Sequence, residues 1–213
     1  GLRRLVFSSS TLLYGPRPDN PNFLRESHRL RGHPDAGWIG ARIQAEESVR
    51  KFALEHPKIE VTVLRSCWTM GPMSSHPVSK FFSRASVPTC LGYDPQMQFV
   101  HEEDLLSVYE RAVCESHPGT FNIVARGVLP LSTLLALAGK QKWPLPPMLL
   151  DRLTGVLPWG SSPDKPSAFY DYLRYLWVAE GERGWAEFGE PRYTSREAWI
   201  SFVSSARMSQ YRP

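Results

Sequence analysis

The sequence predicts an α/β protein whose sheet is parallel. Residues 2–8 form an apolar run that ends in small hydroxyl side chains, which is typical of a buried parallel strand. Residues 37–54 repeat side chains at intervals of three and four, the spacing of one helix face, and the β-branched stretch 59–65 follows as a second strand. The helix face consists of Trp38, Arg42, Ala45, Val49 and Phe52. Strand, helix and strand of this size predict a right-handed parallel crossover.

The rest of the chain alternates between short strands and helices. In chain order, the predicted elements are a helix over 78–85, a strand over 96–101, a helix over 102–114, a strand over 119–124, a helix over 131–140 and helices over 168–176 and 195–203. The proline-rich stretch from Trp143 to Pro166 is predicted to be irregular. We therefore expect a main domain over residues 1–142 and a proline- and aromatic-rich part over 143–213.

Composition and charge exclude several classes of protein. The net charge is +4, but Lys and Arg are scattered among Asp and Glu, so we expect no nucleic-acid partner. No run of about 18 apolar residues occurs, which argues against a membrane-spanning protein, and we expect no membrane partner. The cysteines, Cys67, Cys90 and Cys114, lie far apart and lack metal-ligand spacing, which is typical of a reducing compartment; we expect a cytoplasmic protein.

The glycines of the stretch GHPDAGWIGARIQAEE, residues 32–47, resemble a dinucleotide-binding loop at first sight. Such a loop needs a buried strand directly before it, whereas the preceding residues RESHRLRGH are polar and charged. The place of the first glycine is taken by Pro34, which has no N–H group to offer a phosphate. These glycines therefore belong to something other than a phosphate loop.

Six segments, taken in order and at their spacing, identify a family. They are FSSSTLLYG, WIGARIQAEE, EVTVLRSCWTMGP, QFVHEEDL, GTFNIV and FGEPRYTSREAW. Together they resemble the extended short-chain dehydrogenases, the NAD(P)-dependent epimerase/dehydratase group, over residues 5–202. The resemblance implies the C-terminal part of a Rossmann-like doubly wound parallel sheet with a small, mostly helical substrate lobe. It also implies an oxidoreductase that acts on a hydroxyl or carbonyl group of a small molecule.

The resemblance also implies a catalytic site with two altered positions. Ser10 occupies the place of the serine that orients the substrate oxygen. Trp38 takes the place of the tyrosine in YxxxK, which is the general acid/base, and Arg42 takes the place of the lysine that binds the nicotinamide ribose. An indole N–H does not exchange a proton near neutral pH, so Trp38 cannot perform that transfer. Arg42 keeps a positive charge but not the geometry of an ammonium group. Tyr14 is the one nearby tyrosine that could substitute.

NAD or NADP is the cofactor that the resemblance implies. Its contacts would come from Ser8, Ser9 and Arg42 and from the backbone of residues 66–68, that is Ser66, Cys67 and Trp68. The glycine-rich loop of the family lies roughly a hundred residues before the serine-rich segment, and the chain does not contain it. We therefore expect a fragment of a longer protein, which binds the cofactor weakly and exposes its first strand as an apolar edge.

Substrate and assembly are less constrained. Nucleotide-sugar enzymes of the group often carry an arginine two places before the FVH triplet, and this place is Met97, which argues against a nucleotide sugar. A homodimer through the helix that carries Trp38 is an expectation from the family. Ser8 to Ser10 lack the GxSxG elbow of a serine hydrolase, so we set that class aside.

Two further groups of residues have a structural reading. The successive residues from His101 to Asp104 point in different directions at the start of a helix, so they do not predict a metal site. The family resemblance instead implies that His101 lies at the strand-to-helix junction and that Asp104 caps the helix. The aromatic residues after 142 are predicted to pack the core and lid of the lobe, with a lipid or sterol pocket as the alternative. They are Trp143, Trp159, Phe169, Tyr170, Tyr172, Tyr175 and Trp177.

Two hypotheses for function follow from these residues. The first is an NAD(P)-dependent epimerase, dehydratase or dehydrogenase with an altered YxxxK motif. The second is a pseudoenzyme of the same fold, which has lost the proton relay and keeps a role in ligand binding or scaffolding.

Overall fold

The computed structural model describes residues 1–153 and 166–209 and has an α/β architecture. Its strands are β1 Arg4–Ser10, β2 Glu60–Ser66, β3 Trp68–Met70, β4 Ser86–Cys90, β5 Gln96–Met97, β6 Phe99–His101, β7 Gly119–Ile123, β8 Leu129–Pro130 and β9 Gln141–Leu145. Its α-helices are α1 Gly37–Glu55, α2 Pro77–Phe82, α3 Glu102–Cys114, α4 Leu131–Leu137, α5 Pro147–Leu153, α6 Pro166–Asp171, α7 Glu182–Phe188 and α8 Ser195–Ser209. A 3-10 turn covers Thr11–Tyr14.

The main sheet is parallel, with the strand order β1-β2-β7. The central strand β2 buries five of its seven residues because its β-branched side chains are covered on both faces. β1 lies at the edge of this sheet and is only half-buried, and among the described residues β2 is its one pairing strand. Among the described residues, β1 is therefore one edge strand of the sheet.

Helices cover both faces of the sheet, as a doubly wound fold requires. Successive side chains of a strand point to opposite faces, so the side chains of Ser8 and Ser9 in β1 lie on opposite faces of the sheet. The Ser9 hydroxyl donates to Glu46 on α1, and the Ser8 hydroxyl accepts from Tyr109 on α3. α1 and α3 therefore lie on opposite faces of β1.

A smaller lobe surrounds the carboxyl end of the sheet. It contains the parallel pairs β3–β6 and β4–β9 and the antiparallel pair β5–β8. Its core is aromatic: the Trp68 ring stacks on Phe169 with 5.7 Å between centroids and meets Trp177 edge-on at 4.8 Å. Phe169, Tyr170, Tyr172 and Trp177 pack into this core as predicted, and Trp159 lies outside the described residues. Trp143 differs, because half of its surface is exposed.

The long periodic elements were predicted well and the lobe was not. α1, α3, β2 and β7 lie within one residue of the expected bounds. The helix expected over 78–85 ends at Phe82 and is followed by β4, and the stretch expected to be irregular from Trp143 contains the end of β9 and all of α5. The helix expected over 168–176 ends at Asp171, and α7 was not predicted. The division at residue 142 stays a prediction.

The face of α1 that packs on the sheet differs from the predicted one. The buried residues of α1 are Ile39 and Glu46, whereas Trp38 and Ala45 are exposed and Arg42 is half-buried. Periodicity indicated the helix correctly but chose the wrong side, since the inward face contains an acidic residue that has a buried partner.

Gly15 allows two loops to approach closely above the sheet. Its φ is +81°, and a Cβ at this position would lie 2.2 Å from the carbonyl oxygen of Gly32. The Gly32 N–H donates to the Leu13 carbonyl at 2.9 Å, which ties the residues before α1 to the 3-10 turn. A side chain at residue 15 would force these loops apart.

We predict that Gly15→Ala lowers the free energy of unfolding by about 1–3 kcal/mol or more, because it adds a steric clash to a left-handed backbone. Gly40→Ala is the matched control: Gly40 lies inside α1 with open space around its Cβ position, so alanine should stabilise by about 0.5–1 kcal/mol. Urea unfolding of the two variants measures both values, and equal effects would contradict the proposed loop contact.

Candidate active site

Two of the predicted site residues, Ser10 and Ser66, lie together at the carboxyl edge of the parallel sheet, where ligands bind in folds of this kind. Ser10 ends β1 directly opposite Ser66 at the end of β2. The Ser10 hydroxyl donates to the Ser66 carbonyl at 3.0 Å and accepts from the Leu12 N–H at 3.2 Å. Ser10 is thus the N-cap of the 3-10 turn, and its half-buried hydroxyl has a fixed orientation at this edge.

Arg42 extends from α1 to the neighbouring strand. Its Nη2 donates to the Ser8 carbonyl at 2.9 Å, while its Nε is buried and has no hydrogen-bond partner among the described residues. Trp38 lies one turn earlier on α1, with 44% of its surface exposed. The structure therefore brings the Arg42 guanidinium group, with its unsatisfied N–H, next to the Ser8 backbone, and it places Trp38 one turn away on the same helix.

Ser8 and Ser9 have different roles despite their adjacent positions. Ser8 is exposed, and its hydroxyl accepts from the Tyr109 hydroxyl at 2.6 Å. Ser9 is buried, and its hydroxyl donates to Glu46 Oε2 at 2.5 Å. Of the two hydroxyl groups, only that of Ser8 is accessible to a ligand.

The segment after β2 offers backbone rather than side chains to the site. Cys67 is buried, and burial raises the pKa of its thiol far above the usual range, so it stays a neutral thiol. Its N–H donates to the Ile123 carbonyl at 3.2 Å. The Trp68 side chain points into the aromatic core of the lobe. A cofactor contact at Cys67 or Trp68 would therefore come from carbonyl groups or from shape.

A fully buried ion pair connects α1 to β2 next to the predicted site residues. Glu46 on α1 and Arg65 on β2 are at most 1% exposed, and Arg65 Nη2 lies 2.5 Å from Glu46 Oε1. A second Glu46 oxygen accepts from Ser9, so the carboxylate joins α1 to both β1 and β2. Neither residue was predicted from the sequence to belong to the site. An arginine inside a β-branched strand was the available signal, because such a charge needs a buried partner.

Tyr14 is part of the same network and does not replace the missing catalytic tyrosine. Its hydroxyl accepts from Arg65 Nη1 at 2.8 Å and donates to Asn122 Oδ1 at 2.8 Å, and the residue is fully buried. Burial raises its pKa to about 12, although the neighbouring Arg65 acts in the opposite direction. A phenol with two partners and no exposure can neither reach a substrate nor release a proton near neutral pH.

A histidine–carboxylate contact holds the lobe to the loop before α1. His33 Nε2 lies 2.9 Å from Asp171 Oδ2, and His33 Nδ1 accepts from the Asp35 N–H. α6 is thereby fixed next to the start of α1. The position of Trp38 thus depends on the lobe as well as on the sheet.

The residues at the start of α3 have structural roles, and the role of Asp104 differs from the predicted one. His101 caps α3, since its Nδ1 accepts from the Glu103 N–H at 3.2 Å, and its ring stacks on Tyr193. Asp104 was expected to cap, but its oxygens accept from the N–H groups of Arg192 and Tyr193 and hold the turn before α8. Met97 is fully buried in β5, so the place of the nucleotide-sugar arginine is apolar and closed.

Residues 1–124 match the family model described as the NAD dependent epimerase/dehydratase family. The chain belongs to this family. Its α/β fold with a parallel sheet and helices on both faces agrees with this membership, and the family resemblance inferred from the sequence is confirmed.

Curated relatives are uncharacterized proteins of Mycobacterium bovis and Mycobacterium tuberculosis. Each is 31% identical over 202 residues, which are 94% of this chain and 54% of the relative. The chain therefore spans about half the length of the relatives it matches. Their names assign no activity.

Solved structures of the same fold include nucleotide-sugar enzymes. The dTDP-glucose 4,6-dehydratase of Bacillus anthracis in complex with NAD has a TM-score of 0.69 at 16% identity, covering 97% of this chain and 62% of its own. The UDP-glucose 4-epimerase of Thermus thermophilus in complex with NAD has a TM-score of 0.67 at 17% identity, covering 96% and 64%. At these identities the likeness establishes the fold.

Among the described residues, no helix has the length and hydrophobicity needed to cross a bilayer.

We predict that Glu46→Gln lowers the free energy of unfolding by about 3–5 kcal/mol, because it leaves the buried Arg65 charge without its counter-ion. Glu47→Gln makes the same chemical change on an exposed neighbour and should stay within about 0.5 kcal/mol of the unmodified chain. Chemical denaturation measures both, and a similar small effect for the two variants would show that the ion pair does not hold α1.

We also predict that the Tyr14 hydroxyl loses its proton at a higher pH than an ordinary tyrosine. Since its pKa in the folded protein is about 12 rather than 10.0, its contribution to stability is complete below pH 10 and is lost as the pH rises towards 12. The free energy of unfolding of the unmodified chain should therefore fall more steeply between pH 9 and 12 than that of Tyr14→Phe. Identical slopes would contradict the buried, hydrogen-bonded phenol.

Proposed function

We propose that the protein is an NAD(P)-dependent oxidoreductase of the epimerase/dehydratase type that acts slowly on a hydroxyl or carbonyl group of a small molecule. Ser10 would polarise the substrate oxygen, and Arg42 would hold the cofactor ribose or phosphate. Trp38 stands where proton transfer normally starts, so the chemistry would proceed without that help. Loss of general acid/base assistance typically lowers rates by about 10²–10⁴-fold.

The observation that supports this proposal is the state of Arg42. Its buried Nε has no partner among the described residues, and an orphaned buried donor of this kind is costly unless a ligand fills the place. Its charge lies next to the Ser8 carbonyl, two residues before the carboxyl end of β1. These residues fit the nicotinamide ribose end of NAD(P), whose chemistry, when bound, is hydride transfer.

For the substrate, we propose a molecule other than a nucleotide sugar. Met97 is apolar and fully buried where enzymes for nucleotide sugars often have an arginine, so that position supplies no charge for a diphosphate. The homodimer expected from the family is also a proposal, and the half-buried Val49 and Phe52 on α1 would be partly covered by it.

A pseudoenzyme is the second candidate, and the environment of Tyr14 favours it. Tyr14 is the one nearby tyrosine that the sequence offers in place of the catalytic tyrosine, and its hydroxyl is held by Arg65 and Asn122. In this case the protein would bind ligand without turnover.

A pair of variants separates the two candidates. In the full reading frame, Trp38→Tyr with Arg42→Lys should raise turnover of NAD(P)H by about 10²–10⁴-fold, because it restores a proton donor and its neighbouring ammonium group. The measurement follows NAD(P)H absorbance against a panel of aldehydes, ketones and nucleotide sugars.

The matched control is Trp38→Phe with Arg42→Lys, which keeps an aromatic ring but adds no titratable hydroxyl. An increase in both double variants, or in neither, would contradict the assignment of Trp38 to the tyrosine position. Cofactor binding without turnover in the unmodified protein, followed by turnover in the tyrosine variant alone, would favour the pseudoenzyme.

A further inference from the structure

Arg17, in the loop that follows the 3-10 turn, has an unsatisfied hydrogen-bond donor. Its Nε is buried and has no hydrogen-bond partner among the described residues. Its Nη2 donates to the Gly32 carbonyl at 3.3 Å, which is long for a bond of this kind. A buried N–H group without an acceptor is costly, so this guanidinium group is suited to a ligand that is rich in oxygen acceptors.

The neighbours of Arg17 place it between the carboxyl end of β1 and the lobe. Gly32, which accepts its hydrogen bond, donates through its own N–H to the Leu13 carbonyl in the 3-10 turn. The Tyr172 hydroxyl of the lobe donates to the Leu12 carbonyl of the same turn at 2.7 Å. Burial raises the pKa of Tyr172 far above the usual range, and the charge of Arg17 acts in the opposite direction, so the guanidinium group lies near this hydroxyl. Arg17 therefore lies beside the turn that directly follows β1 and the predicted site.

The carboxylates around Arg17 are paired with other cations. Asp19 has a lowered pKa, mainly because its carboxylate accepts a hydrogen bond from Arg31 at 2.7 Å, and Arg17 is the smallest of the causes. Asp171 of the lobe contacts His33 at 2.9 Å. Arg17 itself has no carboxylate within ion-pair distance in the described part of the chain. The protein therefore compensates the charge of Arg17 only in part.

Arg174 shows that an unsatisfied Nε does not by itself indicate a ligand site. Its Nε is also buried without a hydrogen-bond partner among the described residues, but its guanidinium group lies over the rings of Tyr93 and Tyr175, at 4.6 and 4.7 Å from their centroids. Such rings stabilise a cation in place of an acceptor. Within the described ranges, Arg17 has no ring contact of this kind. Its unsatisfied donor is therefore free for a ligand.

We propose that Arg17 determines specificity by binding a carboxylate or phosphate group of the substrate. This inference rests on the proposed function, because it assigns the anionic end of the small molecule whose hydroxyl or carbonyl group would meet Ser10. The planar N–H groups of a guanidinium match the oxygens of either anion. Thr11, the first residue of the same turn, has a fully buried hydroxyl without a partner among the described residues, so the turn has a second unsatisfied group. A single arginine suits a single anionic group, which agrees with the apolar Met97.

Binding of matched alcohols tests this proposal without turnover. Glycerol phosphate and lactate carry an anionic group, and glycerol and propylene glycol are their neutral counterparts. None of these alcohols is oxidised in the presence of NADH alone, so calorimetric titration with and without NADH measures binding only. We expect each anionic alcohol to bind at least about tenfold more tightly than its neutral counterpart, and we expect Arg17→Gln to remove that difference.

Arg29→Gln is the matched control, because Arg29 is an exposed arginine of the same loop and its substitution removes the same charge. It should leave the preference for the anionic alcohols unchanged, and circular dichroism should show the variants folded. If Arg17→Gln does not fold, Arg17→Lys serves in its place. It keeps the charge but not the planar donors, so it should reduce the preference without abolishing it.

The proposal is overturned if anionic and neutral alcohols bind equally well, or if Arg29→Gln has the same effect as Arg17→Gln. It is also overturned if Arg17→Gln weakens the binding of NADH itself to the same extent, because the anion would then be a phosphate of the cofactor. Binding of NADH without a preference for anionic alcohols contradicts this inference alone. Absence of NADH binding contradicts the proposed function, and the titrations without NADH still measure the role of Arg17.

Discussion

The buried ion pair between Glu46 and Arg65 is the interaction on which the site depends. A carboxylate and a guanidinium group removed from water are tolerated only when each is fully paired, and here every strong partner is supplied by a different element. Glu46 joins α1 to β1 through Ser9 and to β2 through Arg65. Arg65 in turn contacts Tyr14 above the sheet. Arg42 lies one turn before Glu46 on the same helix. The ion pair therefore fixes the position of Arg42 along β1.

This arrangement separates binding from proton transfer. The groups that would bind a ligand remain near the edge of the sheet: Ser10, which caps the 3-10 turn, and the cation of Arg42. The residue at the place of the proton donor is an exposed indole, and the Tyr14 phenol is hydrogen-bonded inside the ion-pair network. Membership of the NAD dependent epimerase/dehydratase family is established by the sequence match, whereas activity depends on these particular side chains.

Sequence patterns predicted the sheet domain well because β2, α1 and α3 are long and periodic. They failed in the lobe for a physical reason. β4 and β9 each contain a proline, which is normally a signal against a strand, and within the described part of the chain these two strands pair only with each other. The roles of the predicted site residues stay a prediction, and the residues that support them, Glu46 and Arg65, were not predicted from the sequence. Whether Glu46 faces solvent or Arg65 depends on how α1 rotates against β2, and a helical period alone does not determine that rotation.

Cofactor affinity of the Arg42→Gln variant is the most direct test of a site that binds without a proton relay. Calorimetric titration of NADH and NADPH into the protein, with and without this substitution, measures whether the guanidinium group contributes to cofactor binding. We expect binding by the unmodified protein and at least about tenfold weaker binding by Arg42→Gln, which corresponds to the loss of one charge-assisted hydrogen bond. Equal affinity of the two proteins, or no binding by either, would contradict the assignment of Arg42 to the cofactor.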